Sequence, residues 1–274
     1  MGETLTTRRR RRTISVTGTK LKIYALISLV FYTAGICVVQ NALLGAEQYS
    51  AAELARVLSE NSDLMLLSTW AALLRLMGGL GVPVFAFLLV EGFVHTGDLK
   101  RYLLALGGTA LLSEIPYDLA MSGKLWDPTA QNGMLTLTVC LVMLYGLRLW
   151  RGKPGLACRL AQGAVIGAAA LWCDLLRTQS GLFLVVCVAI LYQLYQHRGG
   201  RLLVVVGWTL LYVLGGMLLT GDAGALIYLT GTLSVYALWC YNGQRGWKGN
   251  KYLFYLCYPA HLLALYALSA LLAG

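Results

Sequence analysis

Gly78–His95 reads GGLGVPVFAFLLVEGFVH, and the fold follows from how that stretch is placed. It opens on a Gly-Gly-Leu-Gly-Val-Pro segment, runs through an unbroken apolar block and closes on Glu91 and His95. Those two are four residues apart, which sets them on one face of a helix. Arg75, three residues before Gly78, interrupts another apolar run. At the centre of a bilayer an Arg or an acid costs about 2.5–3.5 kcal/mol on insertion scales. Such groups need partners inside the protein or a water-filled cavity, and that makes them candidate functional residues.

The rest of the chain agrees with a membrane setting. Of 274 residues, 58% are hydrophobic and 12% charged, against roughly a quarter charged in a soluble domain. Mean hydropathy is +0.67. The composition predicts an all-α, polytopic transmembrane bundle, with a single membrane domain over 20–274 behind a basic, unstructured tail over 1–19. Nine spans are expected: 21–44, 64–92, 99–121, 132–150, 156–175, 180–197, 202–220, 223–241 and 250–272.

A net charge of +10 would point to nucleic acid in a soluble protein, but its distribution excludes that reading. With the N-terminus cytoplasmic, 18 of the 22 Lys and Arg residues fall at inner loops or the tail, leaving Arg56, Arg75, Lys124 and Arg177. This is the positive-inside pattern, and with nine spans it puts the C-terminus outside. The run Arg8–Arg12 also suits anionic headgroups, at about 1 kcal/mol per charge. No small-x-small cleavage site follows it, so no cleaved signal peptide is expected. The seven cysteines (37, 140, 158, 173, 187, 240 and 257) show no CxxC and no metal spacing, which predicts neither a disulfide framework nor a metal site.

Several positions invite a closer reading. The first span carries Tyr32, Thr33 and Gln40 among apolar residues, and Ala51–Glu60 has the pattern of a short interfacial helix. The second span would be about 43 Å long as one helix, too long for about 30 Å of hydrocarbon. Gly78, Gly79, Gly81 and Pro83 therefore mark either a break lining a cavity or a face for close helix packing. Glu114 and Asp118 flank Pro116 and Tyr117 near the outer end of the third span, as a proton relay, a ligand site or an interfacial pair. Asn132 and Thr136 add a polar face at similar depth. In the ninth span His261 lies about 15 Å past Lys251, just after Tyr258 and Pro259, which are expected to open the helix there. It is a proton carrier or a structural histidine hydrogen-bonded across the bundle.

Taken together, GVPVFAFLLVEGFVHT (Gly81–Thr96), Arg101-Tyr-Leu, SEIPYDL (Ser113–Leu119), QNGMLTL (Gln131–Leu137), YNGQRG (Tyr241–Gly246) and KYLFYLCYPAHLLALY (Lys251–Tyr266) resemble the TraX family, named for the conjugal-transfer pilin acetylase. The resemblance covers most of the chain, in order and spacing. It implies a multi-span acetyltransferase of the bacterial cytoplasmic membrane, related to wider membrane acyltransferases, that passes acetyl from cytoplasmic acetyl-CoA to an amine. The Asp-His pair usual in the first span is Tyr32-Thr33 here, which shifts the role of base to His261 or to Glu91 with His95. A usual Arg is Gly79, and an Asp-Tyr-Gly after the fifth span is reduced to Arg177–Gly181.

Acetyl transfer needs a base, donors for the oxyanion and a departing thiol. The expected assignment has His261 as base, Tyr258 or Arg75 steadying the oxyanion, and Glu91 and His95 beside the donor's entrance. Arg245, Lys248, Lys251 and Asn242 would hold the acetyl-CoA phosphates. Glu114, Asp118, Asn132 and Tyr117 would shape the side taken by a peptide or glycan acceptor. The expected partners are thus the bilayer, the acyl donor and that acceptor, with no metal and no nucleic acid. A transporter or flippase would share the broken span and midplane charges, although the two halves show no internal repeat. A non-catalytic member of a secretion or conjugation complex is the third reading.

Overall fold

The structure, a computed structural model of the chain, describes residues 15–221, 223–247 and 252–273. Arg8–Arg12, Asp222, Lys248 and Lys251 lie outside the described residues. The described residues are almost wholly helical, and among them the only strand-like pairings are two isolated bridges, Val16 with Tyr241 and Gln131 with Thr178.

Helix α1 (Gly18–Ala34) starts at Thr17, whose hydroxyl accepts from the Lys20 amide, and continues as a π-helical stretch, Gly35–Leu43. The expected interfacial helix is α2 (Ala51–Glu60), opened by a reciprocal Ser50–Glu53 capping box. Helix α3 (Ser62–Gly79) is capped by Asn61, and α4 (Val82–His95) follows after Leu80 and Gly81 with Pro83 in its first turn. Then come α5 (Leu99–Leu112), α6 (Glu114–Ser122), α7 (Gly133–Trp150), α8 (Leu156–Leu175), α9 (Gly181–Gln193) and α10 (Arg198–Gly215). The short α11 (Leu226–Leu229), α12 (Gly231–Trp239) and α13 (Tyr252–Ala273) complete the bundle.

Among the described residues six helical segments are long and apolar enough to cross a membrane: Gly18–Leu43, Ser62–His95, Gly133–Trp150, Leu156–Leu175, Leu202–Leu219 and Tyr252–Leu272. The other expected spans form shorter or interrupted helices. The third breaks at Ser113, between α5 and α6. The sixth is only 13 residues, about 20 Å, and most of its side chains are buried against protein, Phe183, Val185, Cys187, Val188 and Leu191 fully. The eighth is split at Thr230 into helices of four and nine residues. By contrast α8 and α10 expose Leu160, Leu171, Leu203, Leu211 and Leu214, as lipid-facing helices should.

The second span is both broken and closely packed. At Leu80 the amide turns to the Met77 carbonyl rather than to Leu76, and Gly81 bonds back to Gly78. The Leu76 carbonyl so released accepts from the Thr230 hydroxyl at 2.6 Å. A Cβ on Gly78 would collide with Tyr32, one on Gly79 with the Ile227 carbonyl, and one on Gly231 would come 2.9 Å from Pro83. Two broken helices therefore cross backbone to backbone.

One end of the bundle is a basic rim. Arg148 lies over the Phe93 ring, Arg151 over Tyr192 and Lys22 over Phe254, each 5.1 Å from the centroid. Residues 15–19 are stitched there to the loop after α12: Val16 N–H donates to Cys240 O at 3.1 Å, Gly18 N–H to Gln244 O at 2.8 Å and Thr19 N–H to Arg245 O at 3.0 Å.

Candidate functional site

A cavity of about 290 Å³ lies inside the bundle toward the end opposite the basic rim. It is lined from the first span by Tyr32, from α3 by Arg75, Gly78 and Gly79, from α4 by Val82 and Phe85, and from α13 by Tyr258. Gly133, Gln179, Ser180 and Gly224 form its outer wall. Behind them stands an aromatic cluster, with Phe183 4.4 Å from Tyr228 and 5.2 Å from Tyr212 by ring centroid. Arg177 and Ser180, in the wall's turn, have φ of 51° and 58°, a left-handed conformation that costs about 1 kcal/mol or more for a residue with a Cβ. The turn is fixed by Gln131 N–H to Arg177 O, Gln179 N–H to Gln131 O, and the Tyr228 hydroxyl on Ser180 Oγ at 2.9 Å.

Arg75 enters this space with one hydrogen bond, Nη1 to Gln40 Oε1 at 3.2 Å, and its buried Nε has no partner. The π-helical stretch carries Gln40 to that position. Tyr258 is buried, and its ring lies 5.5 Å from that of His261, which is not among the residues lining the cavity. Pro259 sits inside α13 without ending it.

The His261 ring bridges two oxygens: Nδ1 is 3.2 Å from Cys257 O, and Nε2 is 3.3 Å from Thr33 Oγ1. A carbonyl can only accept, so Nδ1 carries the hydrogen. Nε2 then presents its lone pair and accepts from the Thr33 hydroxyl. Thr33, at the position where the resemblance expects a histidine, is fully buried.

The predicted acceptor-side residues gather on the next flank. Tyr117 is buried and sits within electrostatic reach of Tyr258, Tyr32, Glu114 and Asp118. Asn132 caps α7 by accepting from the Met134 and Leu135 amides, and its Nδ2 donates to Glu114 Oε2 and to Ala110 O. Asp118 Oδ2 accepts from the Asp127 amide at 2.9 Å, while Asp118 Oδ1 and Glu114 Oε1 are buried without partners. In the loop beyond, the hydroxyl and amide of Thr129 hold the Asp127 carboxyl below its usual range.

Arg75, Tyr258, His261, Tyr117, Glu114 and Asn132 are therefore brought into one neighbourhood, with Asp118 at its edge. Glu91 and His95 are not part of it. Glu91 lies at the basic end, where its carboxylate accepts from Tyr195 Oη at 2.9 Å and Tyr241 Oη at 3.0 Å. His95 donates to the Glu91 carbonyl at 2.9 Å, and its side chain is 64% exposed. Asn242 gives its amide to Ser15 Oγ at 2.7 Å, and Arg245 is exposed on the same loop. Gln40 and Thr33 were visible in the sequence only as polar interruptions. Tyr195, Tyr228 and Ser180 carried no signal, since each is ordinary at a helix end. Among the described residues no group of three His, Cys, Asp or Glu side chains could hold a metal.

Apolar helices, ionisable groups turned inward and a cavity among the helices define a multi-pass membrane protein. The chain belongs to the TraX protein family, whose model matches residues 17–269. It is also 26% identical over 210 residues to a probable fimbrial assembly protein FimC, serogroup H1, of Dichelobacter nodosus, covering 70% of this chain and 81% of that one. No solved structure matches it significantly.

Proposed function

We propose that the protein is an acetyltransferase of the bacterial cytoplasmic membrane, with nine spans and its basic end in the cytoplasm. It moves acetyl from acetyl-CoA to an amine or hydroxyl of an exported acceptor, a pilin-like peptide or a surface glycan. The observation that carries this reading is His261, whose Nδ1–H is committed to Cys257 O and whose Nε2 lone pair faces the Thr33 hydroxyl, next to the cavity-lining Tyr258. Membership of a family named for a pilin acetylase and likeness to a fimbrial assembly protein support the same substrate world.

The donor enters at the basic rim. Exposed Arg245 meets its phosphates on a loop that Asn242, Thr19 and Gly18 hold in shape, and Lys248 and Lys251 follow in sequence. Glu91 is six residues beyond Phe85 on α4, so about 9 Å separates that rim from the cavity wall. The acceptor occupies the cavity. Its nitrogen or oxygen attacks the thioester carbonyl, and a C–N or C–O bond forms as the carbonyl electron pair moves to oxygen. Tyr258 Oη donates to that oxyanion. His261 Nε2, released from Thr33, takes the nucleophile's proton. Collapse breaks the C–S bond, and the departing thiolate recovers the proton from His261, returning the ring to neutrality.

Membranes carrying the full chain, incubated with acetyl-labelled acetyl-CoA, should release free thiol and label an acceptor. His261→Ala should lower the rate about a hundredfold or more; an unchanged rate removes His261 from the reaction. The relative's printed name also favours a non-catalytic assembly role. Purified protein that neither binds acetyl-CoA nor releases thiol would decide for that role.

A further inference from the structure

Among the described residues Arg75 is a cation without a counter-ion. It stands 13 residues into α3 from Ser62, about 20 Å along the helix. Its single hydrogen bond goes to a neutral amide, and its Nε is buried with no partner. Among the described residues no carboxylate pairs with it. The acids of this neighbourhood bond to other groups: Glu114 to Asn132 and Asp118 to the Asp127 amide. An unpaired guanidinium taken out of water carries a penalty of several kcal/mol. A site that retains one at the edge of an open cavity is made to be neutralised from inside that cavity.

The surroundings narrow the partner. About 290 Å³ is at the small end of ligand sites, room for one headgroup or one small ring but not for a polymer. The walls offer rings (Phe85, Tyr32, Tyr212, Tyr228) and only neutral polar groups at the mouth, Ser180 and Gln179. A single half-buried cation with aromatic walls fits an anion of one charge on a compact apolar body, and a planar guanidinium favours an oxyanion it can grip with two N–H groups.

We propose that the cavity seats the acceptor through a singly charged oxyanion, carboxylate or phosphodiester, with Arg75 as its counter-ion. The inference rests on reading the cavity as the acceptor's seat. It is tested by binding without any acyl donor, so it can fail while donor binding and thiol release stand, and the converse.

The full chain, purified in an uncharged maltoside detergent, is titrated with benzoate and its neutral isostere benzamide. A parallel titration uses short-chain phosphatidylglycerol and the matching diacylglycerol, and melting temperature reports binding. A charged probe should raise the melting temperature where its neutral counterpart does not. Arg75→Gln should weaken that binding about tenfold to a hundredfold. Stabilisation by phosphatidylglycerol alone assigns the anion to a lipid headgroup, and by benzoate to a free acid. If neutral probes bind as well as charged ones, or if Arg75→Gln binds like the wild type, the proposal is overturned. Should Arg75→Gln not yield monodisperse protein, Arg75→Lys carries the test. An ammonium cannot present the paired N–H fork, so binding should weaken about tenfold; equal affinity overturns the assignment.

Discussion

Replacing Gly79 by alanine adds one methyl group where two backbones cross. That Cβ would run into the Ile227 carbonyl and come 2.5 Å from Thr230 Oγ1 and 2.8 Å from Ile227 C. Ordinary contact begins at 3.4 Å, so α11 must retreat by about 0.9 Å from the hydroxyl alone, and by more at the carbonyl. Neither neighbour is the free end of a flexible side chain. The Thr230 hydroxyl is shared between Leu76 O at 2.6 Å and Ile227 O at 2.7 Å. Retreat therefore strips the Leu76 carbonyl of the partner that replaced its lost helical bond. Overpacking costs about 1–3 kcal/mol and the lost hydrogen bond about 1 kcal/mol more, for a total of about 2–4 kcal/mol and a melting temperature lower by something on the order of 5–10 °C. The chain supplies its own assay, because Cys140 and Cys187 are free and fully buried. A thiol-reactive dye in detergent reads their exposure on heating. Gly108→Ala on α5 is the control: its Cβ meets nothing within 4 Å, and helix propensity alone should leave it as stable as the wild type or about 1 kcal/mol more so. A Gly79→Ala protein that melts with the wild type would refute the backbone crossing itself.

Three further outcomes can be checked. Asn132→Leu removes the cap of α7 and the partner of both Glu114 and the Ala110 carbonyl, and should cost about 2–4 kcal/mol in the same dye assay. Tyr241→Phe takes one of two donors from Glu91; in a double-mutant cycle with Glu91→Gln the coupling should reach about 1–2 kcal/mol, and additive losses would deny the contact. Because Thr129 holds the Asp127 carboxyl below its usual 3.8, that contact's contribution should be complete above pH 3.8 and fade as pH falls through the lowered value. Protection of the Thr129 amide, taken relative to its intrinsic exchange rate at each pH, should fall on acidification in the wild type and be low at every pH in Asp127→Ala.

What the sequence made legible was what alters composition: apolar runs, their basic flanks and the ionisable residues set among them. Arg75, His261, Tyr258, Glu114 and Asn132 stood out for that reason, and the structure gathers them. Glu91 and His95 stood out equally, and their i, i+4 spacing was real, since His95 donates to the Glu91 carbonyl. Spacing along one helix does not tell which end of the bundle that helix end reaches. The grouping of Glu91 with Tyr195 and Tyr241 spans more than a hundred residues and left no local trace. Length along the sequence likewise did not separate α9 from its neighbours, although it is short and packed almost wholly in protein.

The breaks explain why polar residues collect where they do. A helix interrupted inside a membrane releases a carbonyl that lipid cannot satisfy, so a side chain from another helix must reach it. The break after Gly79 frees Leu76 O, and Thr230 takes it. At the break at Ser113 the Ala110 carbonyl is shared between the Ser113 amide and Asn132, and the end of α6 gives Met121 O to Asn41. Each repair brings a polar residue into the bundle, and Gly78 and Gly79 at the first break line the cavity beside Arg75 and Tyr258. The cavity is therefore tied to the interruptions that the glycines permit. A substitution that straightens one of them, by letting Leu80 bond to Leu76 again, should shrink the cavity and leave Thr230 only the Ile227 carbonyl as acceptor, coupling stability to ligand binding through a residue that does not line the cavity.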